Sequence, residues 1–142
     1  MILYLDTSAM VKRYVIEAHS DEVVDQIEQA ELVGSIVLTR VEIAAALSKA
    51  VRQDWIERNE AEAVWRVFLG HWPSFTKLVI TPGVLDRAAE LAWEPGLRGY
   101  DALHLAAALT WQETLETPLT LATFDRELWL AARKMGMAVW PV

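Results

Sequence analysis

Four carboxylates stand where apolar runs of this 142-residue chain stop or helical segments start. Asp6 ends the run ILYL at 2–5, and Glu42 closes T-R-V-E at 39–42. Asp101 opens the apolar segment GYDALHLAAAL at 99–109, and Asp125 follows Thr123 and Phe124 after LTLA at 119–122. Each of three has a purely structural alternative. Asp6 could cap the helix after it, Glu42 could be the capping-box partner of Thr39, and Asp125 could cap the last helix. Asp101 is harder to explain that way. The helix it opens is apolar on every face, which draws the carboxylate inward, where one is rare without a partner.

Two unit charges about 4 Å apart repel by roughly 4 kcal/mol at an effective dielectric of 20. The whole stability of a domain is only about 5–15 kcal/mol. Four carboxylates in one crevice must therefore protonate or hold a cation. An all-oxygen set selects a hard ion, Mg²⁺ or Mn²⁺, with the hydroxyls of Thr7, Ser8 and Thr123 at hand to orient the carboxylates. Such an ion, keeping several waters beside an open crevice, suits phosphodiester hydrolysis, because it acidifies a water and neutralises the phosphate.

The elements that would position these residues read as alternating strands and helices. Apolar runs at 2–5, 32–38, 77–80, 119–123 and 137–140 predict strands. Thr7 and Ser8 can cap a helix to Ile16, Ser20 with Asp21 and Glu22 opens a second, and the Thr39 box starts a long one to Val51. Asn59-Glu60-Ala61-Glu62 repeats the box and starts a helix ending near Gly70. Pro82 suits the first turn of a helix to Trp93, Pro95-Gly96 and Gly99 mark a loop, and helices follow over 100–111 and 126–135. Strands alternating with helices predict an α/β fold with a parallel sheet covered on both faces. In such sheets ligands bind beyond the carboxyl ends of the strands, where the order switches. Trp65, Trp111 and Trp129, at helical positions among Leu and Ala, read as packing residues.

Composition narrows the class. Cysteine is absent, which excludes disulfides, thiolate metal sites and cysteine nucleophiles. No apolar run reaches the roughly 18 residues of a membrane span, so no membrane association is expected. No basic segment and long apolar core follow Met1, so no signal peptide is expected and a cytoplasmic location is. The formal net charge of −7 is uncomfortable for a nucleic-acid partner, but it is unevenly spread. Between Arg13 and Arg40 there is no Lys or Arg, while Glu17, Asp21, Glu22, Asp25, Glu28 and Glu31 crowd the same stretch. That stretch reads as a solubilising helix face. Any phosphate backbone should approach over Lys12, Arg13 and Arg40 instead.

L-D-T-S-A at 5–9, E-I-A-A-A-L at 42–47, Y-D-A-L-H-L-A-A-A at 100–108 and T-F-D-R-E-L at 123–128 resemble the four acidic motifs of PIN-domain ribonucleases. More narrowly, the chain resembles the VapC-type toxins of bacterial and archaeal toxin–antitoxin pairs, in order and over essentially its whole length. The resemblance implies a single PIN domain over 1–142, a three-layer α/β/α sandwich with sheet order 3-2-1-4-5. It implies a Mg²⁺- or Mn²⁺-dependent endoribonuclease with RNA as substrate, forming a homodimer and inhibited by a small cognate antitoxin. By that pattern Asp6 and Asp101 are the principal metal ligands, Glu42 and Asp125 complete the catalytic set, and Thr123 supports it. The segment Arg52–Phe75, rich in Trp and Leu, is either part of the dimer or antitoxin surface or packing within one core. His104, one turn beyond Asp101, reads as a hydrogen-bonded core histidine or as a group orienting that carboxylate or touching substrate.

Two other readings compete. A non-catalytic interaction module on the same fold predicts damage to the acidic set. A phosphoryl-transfer enzyme, with Asp6 as nucleophile, wants a second acid close after the first strand, where Thr7 and Ser8 stand.

Overall fold

Apolar runs without alternation become strands buried on both faces, and here they form one all-parallel sheet. The computed structural model describes residues 1–93 and 96–142. Its strands are β1 (Ile2–Leu5), β2 (Leu32–Ile36), β3 (Thr76–Leu78), β4 (Thr120–Ala122) and β5 (Ala138–Trp140), in the order β3-β2-β1-β4-β5. This is the order implied by the resemblance. In the central strand Tyr4 pairs with Gly34 on one side and Leu121 on the other. The connections leave β1 in opposite directions, through β2 to β3 and through β4 to β5, so the switch point lies beyond the carboxyl ends of β1 and β4.

The helices are α1 (Thr7–Tyr14), α2 (Ser20–Gln29), α3 (Thr39–Arg52), α4 (Arg58–His71), α5 (Pro82–Ala92), α6 (Gly99–Leu115) and α7 (Arg126–Lys134). Alternate residues of β1 serve opposite layers. Leu3 and Leu5 pack with Met10 of α1, Ile43 and Leu47 of α3 and Phe68 of α4. Tyr4 packs on the other face with Val84 of α5, Leu105 of α6 and Leu128 of α7. Helix α6 is buried along most of its length, and its alanines 102, 106, 107 and 108 keep it thin enough to lie between sheet and neighbours. Gly34 is part of the same fit. A Cβ there would stand 2.7 Å from Cη2 of the buried Trp111 and 3.0 Å from the Thr76 carbonyl oxygen, so the indole can cross the sheet only over a glycine.

Several local expectations are corrected. Thr7 and Ser8 begin α1 rather than cap it; the cap is Asp6, and the helix stops at Tyr14, short of Ile16. Thr39 forms no capping box. It is the first helical residue, fully buried, and its hydroxyl is 2.6 Å from Ser35 Oγ. The second box fails likewise, because α4 starts at Arg58 with no side-chain cap. Gly99 opens α6 instead of lying in a loop, and the Pro95 part of that expected loop lies outside the described residues. Strands β2 and β3 are shorter than their apolar runs because Val37 and Val79 already face solvent. Trp111 is core as expected and Trp65 and Trp129 are half-buried, whereas Trp55 and Trp93 are exposed. Among the described residues no helix is long and apolar enough to cross a membrane.

Candidate active site

The switch point fixes where each acid goes. Asp6 directly follows β1, and its extended backbone aims the side chain across the first turn of α1. Its Oδ1 accepts from the Ala9 N–H at 2.9 Å and from Ser8 Oγ at 2.7 Å, and its Oδ2 accepts from Thr123 Oγ1 at 2.5 Å. Capping and facing the crevice are therefore compatible, one for each oxygen. Thr123 Oγ1 also accepts from the Asp125 N–H at 3.0 Å, and Ser8 Oγ from the Phe124 N–H at 2.8 Å. These bonds lock the loop after β4 onto the loop after β1.

Asp125 repeats the division of labour. Its Oδ1 caps α7 by accepting from the Leu128 N–H at 3.0 Å, and its Oδ2 accepts from Arg98 Nη2 at 2.7 Å. The same guanidinium reaches Asp101, with Nε 3.3 Å from Oδ2. Asp101 sits in the first turn of α6 and is buried. Glu42 is in the first turn of α3 and half-buried; its Oε1 accepts from Thr7 Oγ1 at 2.7 Å and from His104 Nε2 at 3.0 Å. His104 is buried, and its Nδ1 lies 2.7 Å from Tyr4 Oη. The histidine is thus hydrogen-bonded as expected, but it orients Glu42 and not Asp101.

Electrostatics separates the four. Burial raises Asp6 above the ordinary aspartate value, against the hydrogen bonds from Thr123, Ser8 and the Ala9 N–H. Burial also raises Asp101, followed by the charge of Asp125, and Arg98 recovers only part of this. Glu42 goes the other way. Burial works to raise it, but hydrogen bonds from His104 and Thr7 hold it below the usual glutamate value. Burial, together with the charges of Asp6 and Glu42, raises Tyr4 well above the phenol range, so its hydroxyl stays protonated and can donate to His104 Nδ1. That leaves Nε2 to carry the proton given to Glu42.

Three of the sequence-derived acids, Asp6, Asp125 and Asp101, are thus joined with Ser8 and Thr123 through Arg98 into one polar network, and Glu42 forms a second with Thr7, His104 and Tyr4, adjoining the first where Thr7 follows Asp6 in the chain. The expectation that four acids must protonate or hold an ion omitted a protein cation, Arg98, which answers part of the charge, and a hydrogen-bond donor, His104. Among the described residues no three Asp, Glu or His side chains converge closely enough to hold an ion by themselves. Two further residues were missed. Arg98, three residues before Asp101, looked like a loop arginine, and Tyr4 looked like one more apolar strand residue. The three expected phosphate contacts do not cluster here. Lys12 Nζ is engaged by Glu17 at 3.2 Å and the Ala18 carbonyl at 3.0 Å, 4.6 Å above the Phe124 ring. Arg13 lies over Tyr14, beside Val64 and Val67 of α4, and Arg40 projects into solvent from the first turn of α3. An open cleft beside the network is lined by Thr123, Phe124, Asp125, Arg126 and Trp129.

The sequence model of the PIN domain family matches residues 3–134. A curated Mycobacterium tuberculosis protein named ribonuclease VapC45 is 32% identical over 99% of this chain and 95% of its own length. The crystal structure of PAE2754 from Pyrobaculum aerophilum superposes with a TM-score of 0.64 at 27% identity, covering 98% of this chain and 83% of that one. The FitAcB structure from Neisseria gonorrhoeae gives a TM-score of 0.68 at 22% identity over the full length of both, a likeness of fold.

Proposed function

We propose that this chain, which belongs to the PIN-domain family, is an endoribonuclease toxin of a toxin–antitoxin pair, dependent on Mg²⁺ or Mn²⁺. Residues 1–142 work as one PIN domain, and the reading has it act in the cytoplasm, as a homodimer held in check by a small antitoxin protein. The observation that carries the reading is the network joining the acids of three separate motifs at the switch point of the sheet, with the fourth acid, Glu42, bonded to Thr7 beside Asp6. Relatives named ribonucleases over nearly the whole chain support it.

The donor set fits a hard cation. Its oxygens are carboxylate and hydroxyl, and among the described residues Asp101 Oδ1 and Glu42 Oε2 accept no protein hydrogen bond. Asp6 and Asp101 would hold the ion, with Glu42 and Asp125 completing the site. When bound, it supplies a Lewis acid for the phosphate and a water of lowered pKa. The chain's own residues do the rest. Glu42, kept ionised by His104 and Thr7, offers Oε2 to take a proton from the attacking water. Trp129 lines the cleft at the mouth, and Arg13 and Arg40 are available for more distant phosphates.

Water is the nucleophile in this reading, not the neighbouring ribose hydroxyl. His104 is committed to Tyr4 and Glu42, His71 lies beside Tyr14, and His19 stands alone, stacked on Phe124 and beside Glu22, so among the described residues no histidine pair faces the crevice. Cleavage should leave a 5′-phosphate and a 3′-hydroxyl. End-group analysis of RNA cut by the purified chain in Mg²⁺, Mn²⁺ and EDTA tests this. A 2′,3′-cyclic phosphate, or full activity in EDTA, overturns it.

A further inference from the structure

We propose that Arg98 is a built-in counter-cation of the acidic crevice: its guanidinium bridges Asp101 and Asp125 and yields those two carboxylates when a divalent ion arrives. The proposal rests on the cation-dependent reading above and adds a residue that the four acidic motifs do not contain.

The geometry makes guanidinium and ion rivals. Asp125 has one oxygen committed to capping α7, so Oδ2 is the oxygen left for any cation, and Arg98 Nη2 holds it at 2.7 Å. Nε of the same planar fork meets Asp101 Oδ2. One flat group thus satisfies two carboxylates from different elements, α6 and the start of α7, which otherwise face each other as like charges. The arginine is also placed to leave. It stands at the N-cap position of α6 on extended backbone, and its side chain is 75% exposed while Asp101 is 9% exposed. An exposed ion pair holds weakly and exchanges readily, whereas a buried one would lock the site. Once displaced, the guanidinium stands at the mouth with its donors free for an RNA phosphate. Its hold on the two carboxylates lowers the apparent affinity for the ion by the fraction of molecules in the bridged state.

Calorimetric titration of wild type, Arg98→Gln and Arg126→Gln with Mg²⁺, beside the NMR signal of the Arg98 side-chain Nε–H, tests the assignment. Arg98→Gln should bind Mg²⁺ about threefold to tenfold more tightly than wild type. Arg126→Gln, which removes an equal charge from the next helix, should change affinity less. The wild-type Arg98 signal should move with the same midpoint as the binding isotherm. Unchanged or weaker binding by Arg98→Gln, equal tightening by Arg126→Gln, or an Arg98 signal that stays put while Mg²⁺ binds would each overturn the counter-cation role and leave the cation-dependent reading standing. If wild type takes up no Mg²⁺ but Arg98→Gln does, the rivalry is confirmed in its extreme form. If neither does, the cation-dependent reading fails and the role of Arg98 fails with it.

Discussion

Six carboxylates around α2 and four in the crevice share a charge and little else. Glu17, Asp21, Glu22, Asp25, Glu28 and Glu31 are all exposed, and their partners are few and local: Lys12, His19 and the chain's first amino group. Water solvates them, and they ask nothing of the fold. In the crevice, Asp6 and Asp101 are buried, Glu42 and Asp125 are half-buried, and hydroxyls, backbone N–H groups, Arg98 and His104 all point at them. A fold directs scarce hydrogen-bond donors to charges that it must keep out of water. The placement of donors therefore tells a working carboxylate from a solubilising one where residue type cannot.

The contrast breaks most easily at Glu42. Glu42→Gln should lower RNA cleavage by about 10²- to 10⁴-fold, the usual worth of a positioned proton acceptor. Glu28→Gln should leave the rate unchanged. Equal losses would erase the distinction between the two regions. Tyr4→Phe comes next. It removes the hydroxyl that meets the buried His104 Nδ1, which should cost about 1–3 kcal/mol of stability for the unpaired nitrogen. Cleavage should fall by roughly tenfold as Glu42 loses its oriented donor. Urea melts and rates measured well below the midpoint separate the two effects, and a stable variant of full activity would show that the relay is only packing.

Charge reversal gives a smaller signal. Arg40→Glu should weaken RNA binding by roughly threefold to tenfold at low salt and flatten its salt dependence, whereas Glu28→Lys should do little. The opposite ranking would put the RNA path over α2. The smallest effect is on the pH dependence of melting without metal. Asp6 and Asp101 have folded-state values raised above their unfolded ones, so their contribution is best when protonated and declines as pH rises through the raised values. Glu42 has a lowered value, so its contribution is present above the ordinary glutamate range and is lost as pH falls through the lowered value. In EDTA the melting temperature of Asp101→Asn relative to wild type should therefore climb as pH rises from the ordinary aspartate range through the raised value. Neutralising Glu28 should give a flat difference.

The architecture was legible because its signals are long-range and redundant: five apolar runs, the helices between them, and an acid at four of their ends. Single hydrogen bonds were less legible. Whether Asp6 and Asp125 cap a helix or face the crevice was posed as a choice, although a carboxylate has two oxygens and each residue does both. The Thr39 box failed because tertiary partners outbid the local pattern: Ser35 takes the threonine hydroxyl, and Thr7 and His104 take Glu42. Arg98 was invisible because an arginine before a helix is ordinarily solvated. The one available signal was its i,i+3 spacing to an acid that had to be drawn inward. Lys12 misled for the opposite reason, since its nearest acid, Glu17, lies just beyond the end of its own helix.

On the proposed function, the crevice carboxylates, unlike those around α2, are held together at a cost that a divalent cation relieves. Thermal melting of wild type and Asp101→Asn in EDTA and in saturating Mg²⁺, with a cleavage assay alongside, tests it most directly. Asn keeps the shape and one carbonyl oxygen but removes a buried charge that faces Asp125. It also gives up the bond from Arg98 and the favourable first-turn charge, which pull the other way. Relief should win in EDTA, raising the melting temperature by roughly 2–4 °C. In Mg²⁺ the wild type should recover the difference by mass action, and the mutant should gain little. Cleavage by the mutant should be lost. A mutant that melts lower than wild type in EDTA, or gains as much as wild type from Mg²⁺, would make Asp101 a structural anchor and contradict the claim.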